Sequence, residues 1–160
     1  MKTLIIVPCG KHKIWDRDKN TGPTKAKDAY IGPVFRVNRA FAEKFSKDWL
    51  ILSAKYGFIS PDFLIPENYD LTFGSDDLEA VNVSYIYNQL KEMGLDRRFE
   101  AVIALGGKKY RRAIEDAFEG TQVQVVSPFA GLGCGKLIQA TKAFVEKNSE
   151  LDFLFESNWL

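Results

Sequence analysis

The sequence predicts an α/β fold: a three-layer sandwich with a mainly parallel, roughly four-stranded sheet and helices on both faces. Three observations carry this expectation. Apolar runs enriched in β-branched residues recur at four places, each short enough for a strand and continuous enough to be buried on both sides. Longer stretches with apolar residues at helical spacing separate them. The length, 160 residues, suits a single domain, 1–160, with a core that needs no staples.

The elements follow in order. "MKTLIIVPCG" supplies a first strand at Leu4–Val7. Val34, Val37, Phe41 and Phe45 mark a helix whose first turn takes Pro33, where the missing N–H is harmless. Trp49–Leu52 is the second strand, followed by a long stretch without obvious regular structure. Leu78, Val81, Tyr85, Leu90 and Met93 mark the second helix, with "GSDD" at 74–77 as its N-cap and acidic first turn. Ala101–Leu105 is the third strand, and Tyr110, Ala113, Ile114, Ala117 and Phe118 form the helix after it, stopped by Gly120. Val123–Val126 is the fourth strand, and Leu137, Thr141, Phe144 and Val145 the last helical face. Strand and helix alternate throughout, as right-handed βαβ units require. The apolar tail "LDFLFESNWL", 151–160, packs as an edge strand or forms a subunit contact, which makes it the route to a possible homodimer.

Composition narrows the function. Twenty-two basic residues oppose 21 acidic ones, a formal charge of +1. That balance lacks the basic excess of a sequence-independent nucleic-acid binder, so nucleic acid is a possible partner but not a required one. Two cysteines, Cys9 and Cys134, and one histidine, His12, make no disulfide framework and no recognisable metal set, so neither metal nor cofactor is expected. The N-terminal apolar run is too short for a signal peptide, and no stretch approaches the roughly 18 apolar residues of a membrane span. A reduced, cytoplasmic protein without a membrane segment is expected.

The ends of the strands carry the functional signal. In a parallel sheet the carboxyl ends share one edge, where open α/β proteins bind ligands. Here those ends read "PCGKHK" at 8–13, "SAKYG" at 53–57, "GGKKY" at 106–110 and "SPFAGLGCGK" at 127–136. Each contains glycine, which lets backbone approach a ligand, and lysine, a mobile positive charge. An electropositive edge with free N–H groups suits a phosphate or carboxylate.

Each segment also has a plainer reading. "GLGCGK" lacks Walker A spacing, since Lys136 precedes Leu137 rather than Ser or Thr, and a simple strand-to-helix turn explains it as well. Lysines at the start of a helix oppose its dipole, which calls for a reason at "GGKKY". Cys9 is a candidate nucleophile if ammonium groups of Lys11 or Lys55 stand near it, and otherwise a structural thiol. Lys55, between Ala54 and Tyr56, is a candidate base or phosphate ligand, or a lysine whose stem covers a core tyrosine. Tyr56 is placed to donate a phenolic proton or stack on a ring, and Asp70 is the carboxylate to pair with Lys55 or a simple turn aspartate. Tyr30 and Arg36 join from the first helix, Arg36 also reading as merely exposed. Cys134 reads as a small filler.

"PCGKHK", "AKDAYIGPVFR", "WLILSAKYGFISPDFLIPENYDLTF", "LGGKKYRRAI" and "GLGCGKLI", in this order, resemble the small bacterial and phage uncharacterised domain described as YaaA-like. That domain has a Cys-Ser/Gly-x-x-Lys start and a central Leu-Ser-Ala-Lys-Tyr-Gly motif. The resemblance spans Ile5 to about Ala140 and leaves out the tail. It implies a functional cluster of Cys9, Lys11, Tyr30, Ser53, Lys55, Tyr56, Asp70, Gly107, Lys108, Tyr110, Gly131 and Gly133. "PCGKHK" is also remotely similar to the Pro-Cys-x-x-x-Lys region in the core domain of archaeosine synthase, an enzyme of tRNA base modification.

Together these readings lead to an enzyme acting on a nucleotide, nucleoside or modified nucleobase, by glycosidic-bond cleavage or base transfer. Cys9, Lys55, Tyr56 and Asp70 are its expected catalytic groups. Gly10, Lys11, Tyr30, Ser53, Gly107, Lys108, Tyr110, Gly131, Gly133 and Lys136 are expected to bind a small phosphorylated or nucleobase-containing ligand. Two alternatives stand: a non-catalytic sensor of a phosphorylated metabolite, and a nucleic-acid-binding module using Arg97, Arg98, Lys108, Lys109, Arg111 and Arg112.

Overall fold

The computed structural model describes residues 1–73 and 80–155. Seven strands occur among them: β1 Thr3–Pro8, β2 Thr24–Lys25, β3 Trp49–Ser53, β4 Gly57–Ile59, β5 Leu64–Ile65, β6 Ala101–Ala104 and β7 Gln124–Val126. The helices are α1 Ala26–Ala29, α2 Pro33–Phe45, α3 Val83–Met93, α4 Leu95–Arg98, α5 Lys108–Phe118 and α6 Cys134–Lys147. Five strands form one sheet in the order β4-β3-β1-β6-β7, and β2 pairs with β5 separately.

β1 is central because its apolar run is continuous. Leu4 and Ile6 enter a core cluster with Ile86 and Leu90 of α3 and Ile114 and Phe118 of α5. Ile5 and Val7 enter another with Phe35 and Phe41 of α2 and Phe144 of α6. Each such fully buried aliphatic or aromatic side chain contributes about 1.5–3 kcal/mol, so a six-residue strand anchors both clusters. β3 and β6 flank β1 in parallel register, Pro8 opposite Leu52 and Ile6 opposite Ala104, and β7 runs parallel to β6. The carboxyl ends of β3, β1, β6 and β7 therefore lie along one edge.

The sheet has five strands rather than four, and its orientation is mixed. After Ser53 the chain turns back and β4 pairs antiparallel with β3, Ser53 opposite Gly57. Gly57 makes the reversal with φ +73°, and a Cβ there would lie 2.1 Å from Gln89 Oε1. A three-residue strand is too short to show an alternating pattern, which is why this stretch reads as irregular from sequence. The outer edge of β4 faces Gln89 of α3, whose Oε1 accepts from Phe58 N at 2.8 Å while its Nε2 donates to Tyr56 O at 3.0 Å.

Other expectations are corrected locally. "GSDD" at 74–77 and Leu78 lie outside the described residues. The cap of α3 is Asn82, whose side chain accepts from Tyr85 N at 2.9 Å. With that start the buried face falls on Ile86 and Leu90, and Tyr85 turns outward, 48% exposed. Cys134 opens α6 as an exposed residue rather than filling the core. The described part of the tail forms no strand: Asp152–Phe155 is a 3-10 turn, with Leu151 and Leu154 buried against the α2 and α6 side of the core. Among the described residues no helix is long and apolar enough to cross a membrane.

Candidate functional site

The end of β1 supplies the centre of the site. Pro8 closes the strand, Cys9 N donates to Leu52 O at 2.9 Å, and Cys9 Sγ lies 3.4 Å from the Tyr110 hydroxyl in the first turn of α5. Gly106, just beyond β6, allows this closeness. It adopts φ +98°, and a Cβ on it would fall 2.1 Å from Pro8 Cγ. The endings of β1, β3 and β6 thus meet through named contacts.

Ser53 explains why an apolar strand finishes in a hydroxyl. Its Oγ accepts from the backbone N–H of Lys55 and of Tyr56, both at 3.1 Å, and so caps the turn into β4. It also shares a 2.9 Å hydrogen bond with the Tyr69 hydroxyl, which in turn bonds the Tyr30 hydroxyl. Ser53, Tyr30 and Tyr69 are all buried, and of the three Tyr69 lines the hollow in front of them. Tyr30 and Ser53 therefore stand behind the ring of Tyr69.

The side chain that sequence reasoning missed is Lys13. It is 4% exposed, although lysine is almost never buried unless paired. Its backbone forms a bridge with Tyr30, its N–H donates to Asp16 Oδ2 at 2.9 Å, and its Nζ donates to Lys11 O at 3.2 Å. The same Nζ stands 4.4 Å from the Tyr69 ring centroid, a cation–π contact. Burial lowers the Lys13 pKa below the ordinary 10.5, against the opposing pull of Cys9, Asp16 and Asp70. The signal was present: counted from Cys9, a Cys-Gly-x-x-Lys start ends at Lys13, whereas Lys11 is exposed.

Burial also raises the pKa of Tyr30, Tyr69 and Tyr110, and a negative charge on Cys9 acts in the same direction on each. All three phenols are held as hydrogen-bonding hydroxyls around the sulfur. In front of Tyr69 and Lys13 opens a hollow of about 350 Å³, lined also by Lys11, His12, Asp16, Asn68 and Asp70. Asp16 and Asn68 continue into a neighbouring cavity of about 560 Å³ that includes Trp15, Lys19 and Glu67. A cavity of about 520 Å³ at the other end of the strands, lined by Leu4, Lys27, Trp49 and Arg98 among others, lies away from this cluster.

The remaining candidates divide. Asp70 acts on Lys13, and among the described residues no ion pair joins it to Lys55. Lys55 lies 5.6 Å from the Tyr56 ring centroid and 5.9 Å from that of Tyr69, so it reaches the same aromatic wall from the β3 side. Gly10 packs near Phe35 at the start of α2, beside the site. Gly107 and Lys108 are exposed at the N-terminus of α5, which has neither a side-chain cap nor an acidic first turn. Gly131, Gly133 and Lys136 are exposed before and within the start of α6 and make no hydrogen bond or ion pair to the Cys9 cluster among the described residues. The run of arginines and lysines expected as one basic patch is split. α4 carries Arg97 and Arg98 to the start of β6, α5 carries Lys108 to Arg112 from its end, and Phe99 between them is buried. Among the described residues no group of three or more His, Cys, Asp or Glu side chains is placed to hold a metal ion.

The structure thus defines a mixed α/β protein with a mainly parallel five-stranded sheet and a cysteine, lysine and tyrosine cluster at the carboxyl edge of β1, β3 and β6. The chain belongs to the family of unknown function DUF6884, whose description matches residues 4–143. It is 40% identical over 152 residues to the Bacillus subtilis (strain 168) protein named "Uncharacterized protein YfjM", covering 94% of this chain and all of that one. No solved structure matches.

Proposed function

We propose that the chain is an enzyme acting on a nucleotide, nucleoside or modified nucleobase, by glycosidic-bond cleavage or base transfer. The observation that carries this reading is Lys13, a buried amine with a lowered pKa at the floor of a hollow that also holds carboxylates. An amine whose proton is loosened in this way gives it up more readily than an exposed lysine does, which suits it to proton transfer. In this mechanism the Lys13 ammonium gives its proton to the departing base nitrogen as the N-glycosidic bond breaks, and the bond's electrons leave with the base. The Asp70 carboxylate steadies the cationic sugar. Water attacks the sugar carbon and returns a proton to Lys13, or an incoming base takes the place of water. Lys11, Lys55 and the uncapped amides of α5 hold the phosphate, while Tyr56 and Tyr69 face the base. Cys9 and Tyr110 position the floor.

The same reading takes the fold as a three-layer sandwich, with α2 and α6 on one sheet face and α3 and α5 on the other, and keeps the YaaA-like resemblance. The purified protein incubated with nucleosides and nucleoside monophosphates, followed by mass spectrometry, is expected to release or exchange a base. Lys13→Met is expected to abolish this. Unchanged pools with the native protein at every pH at which it stays folded would overturn the proposal.

A further inference from the structure

We propose that the substrate enters the hollow as part of a single-stranded nucleic acid, whose flanking bases stack on an aromatic track running outward over Tyr56 and Phe63. This inference rests on the nucleotide reading above and names its substrate class. Tyr69 forms the aromatic wall of the hollow. The Tyr56 ring stands edge-on to it, 5.8 Å between centroids at 87°, and Phe63 follows Tyr56 at 5.1 Å. The three rings lead without a break from the hollow to solvent, where Phe63 is 37% and Leu64 57% exposed.

Positive charge accompanies the rings. Lys55 Nζ lies 5.6 Å from the Tyr56 centroid, and Lys25 and Lys27 stand at the far end, 3.7 and 3.3 Å from Asp62. One carboxylate facing two ammonium groups leaves the track electropositive. Aromatic faces interleaved with lysines are the arrangement that binds single strands, since every base has a face to stack and every linkage a phosphate. A hollow of about 350 Å³ is at the lower end of ligand-pocket sizes, so a mononucleotide bound in it leaves Phe63 untouched. The outer ring has a use only if the ligand continues. Charge favours a nucleic acid over an apolar peptide, which Phe63 and Leu64 alone would accept.

Fluorescence anisotropy with labelled dT12 and rU12 oligonucleotides, beside calorimetry with dTMP, tests this. An oligonucleotide is expected to bind at least tenfold more tightly than dTMP, with affinity falling as salt rises. Phe63→Ala is expected to weaken oligonucleotide binding about tenfold, the scale of one lost base stack, and to leave dTMP binding unchanged. Phe63→Trp, which keeps the stacking face, should restore it. Equal affinity for dTMP and oligonucleotide, or oligonucleotide binding indifferent to Phe63→Ala, overturns the track and leaves the proposed function standing. Binding of neither probe overturns both. Salt-independent binding of an apolar peptide at Phe63, without oligonucleotide binding, reassigns the patch to a protein partner.

Discussion

Lys13 Nζ stands 4.4 Å from the centroid of the Tyr69 ring, an ammonium group on an aromatic face inside the protein. The ring attracts the charged amine and so holds its proton, while burial denies it water and favours the proton's loss; burial is the larger effect, and the Lys13 pKa is lowered. Because the folded state lowers the Lys13 pKa, the unfolded chain binds more protons in the window between the folded value and 10.5. Stability contributed by this site therefore rises as pH increases through that window. Denaturant unfolding of the native protein and of Lys13→Met should show the variant more stable at neutral pH, with the difference shrinking toward pH 10.5. A parallel pair of curves would contradict the buried ammonium.

The three phenols around Cys9 carry the opposite sign. Their pKa values are raised, so the folded state keeps protons that the unfolded chain releases above about pH 10. Their contribution is complete below that pH and is lost as pH climbs further. An absorbance titration of the six tyrosines should show only part of the phenolate signal appearing with the protein folded, the rest arriving with alkaline unfolding. Six phenols titrating together near pH 10, with the fold intact, would be the contrary result.

Tyr69 and Ser53 form one hydrogen-bonded unit. Tyr69→Phe removes the group shared by Ser53 and Tyr30, and Ser53→Ala removes the acceptor of two turn amides as well. Each single change should cost about 1–3 kcal/mol, because buried polar groups lose their partners. The double variant should cost less than the sum of the two. Strict additivity in chemical denaturation would show the hydroxyls to be independent.

Gly106→Ala tests the junction of β1 and β6. The backbone has φ +98°, and the new methyl would meet Pro8 Cγ at 2.1 Å. A loss above about 2 kcal/mol is expected from strain and overlap together. Gly120→Ala makes the control, since φ there is +81° and no atom lies within 4 Å of the added Cβ. It should lose only the conformational part. Equal losses would mean that contact with Pro8 carries no weight.

Much of the fold is legible from the apolar runs, because a strand buried on both faces writes its burial into consecutive residues. Leu4–Val7 and Ala101–Leu105 are such runs, and the lysine and glycine endings beyond them mark the edge on which the candidate site lies. The edge strand Gly57–Ile59 is not legible, being held by pairing to β3 and by a side chain from a distant helix. The burial of Lys13 is hidden for a similar reason, although its place in the Cys-Gly-x-x-Lys spacing is legible. Its burial is created by Tyr69 and Tyr30, which approach only when the chain is folded, and an isolated lysine in "PCGKHK" looks solvated. The split of the arginine and lysine groups shows the converse: two basic groups separated in sequence by little more than one strand are carried to opposite ends of β6.

The Gln89 amide gives the sheet two unlike rims. On the β4 side it imitates the next strand, presenting an acceptor and a donor where another chain's backbone would dock. On the β7 side, Gln124–Val126 has no such stopper among the described residues. Removing the Gln89 side chain would strip that cover and leave Phe58 N–H and Tyr56 C=O as open as the free rim of β7.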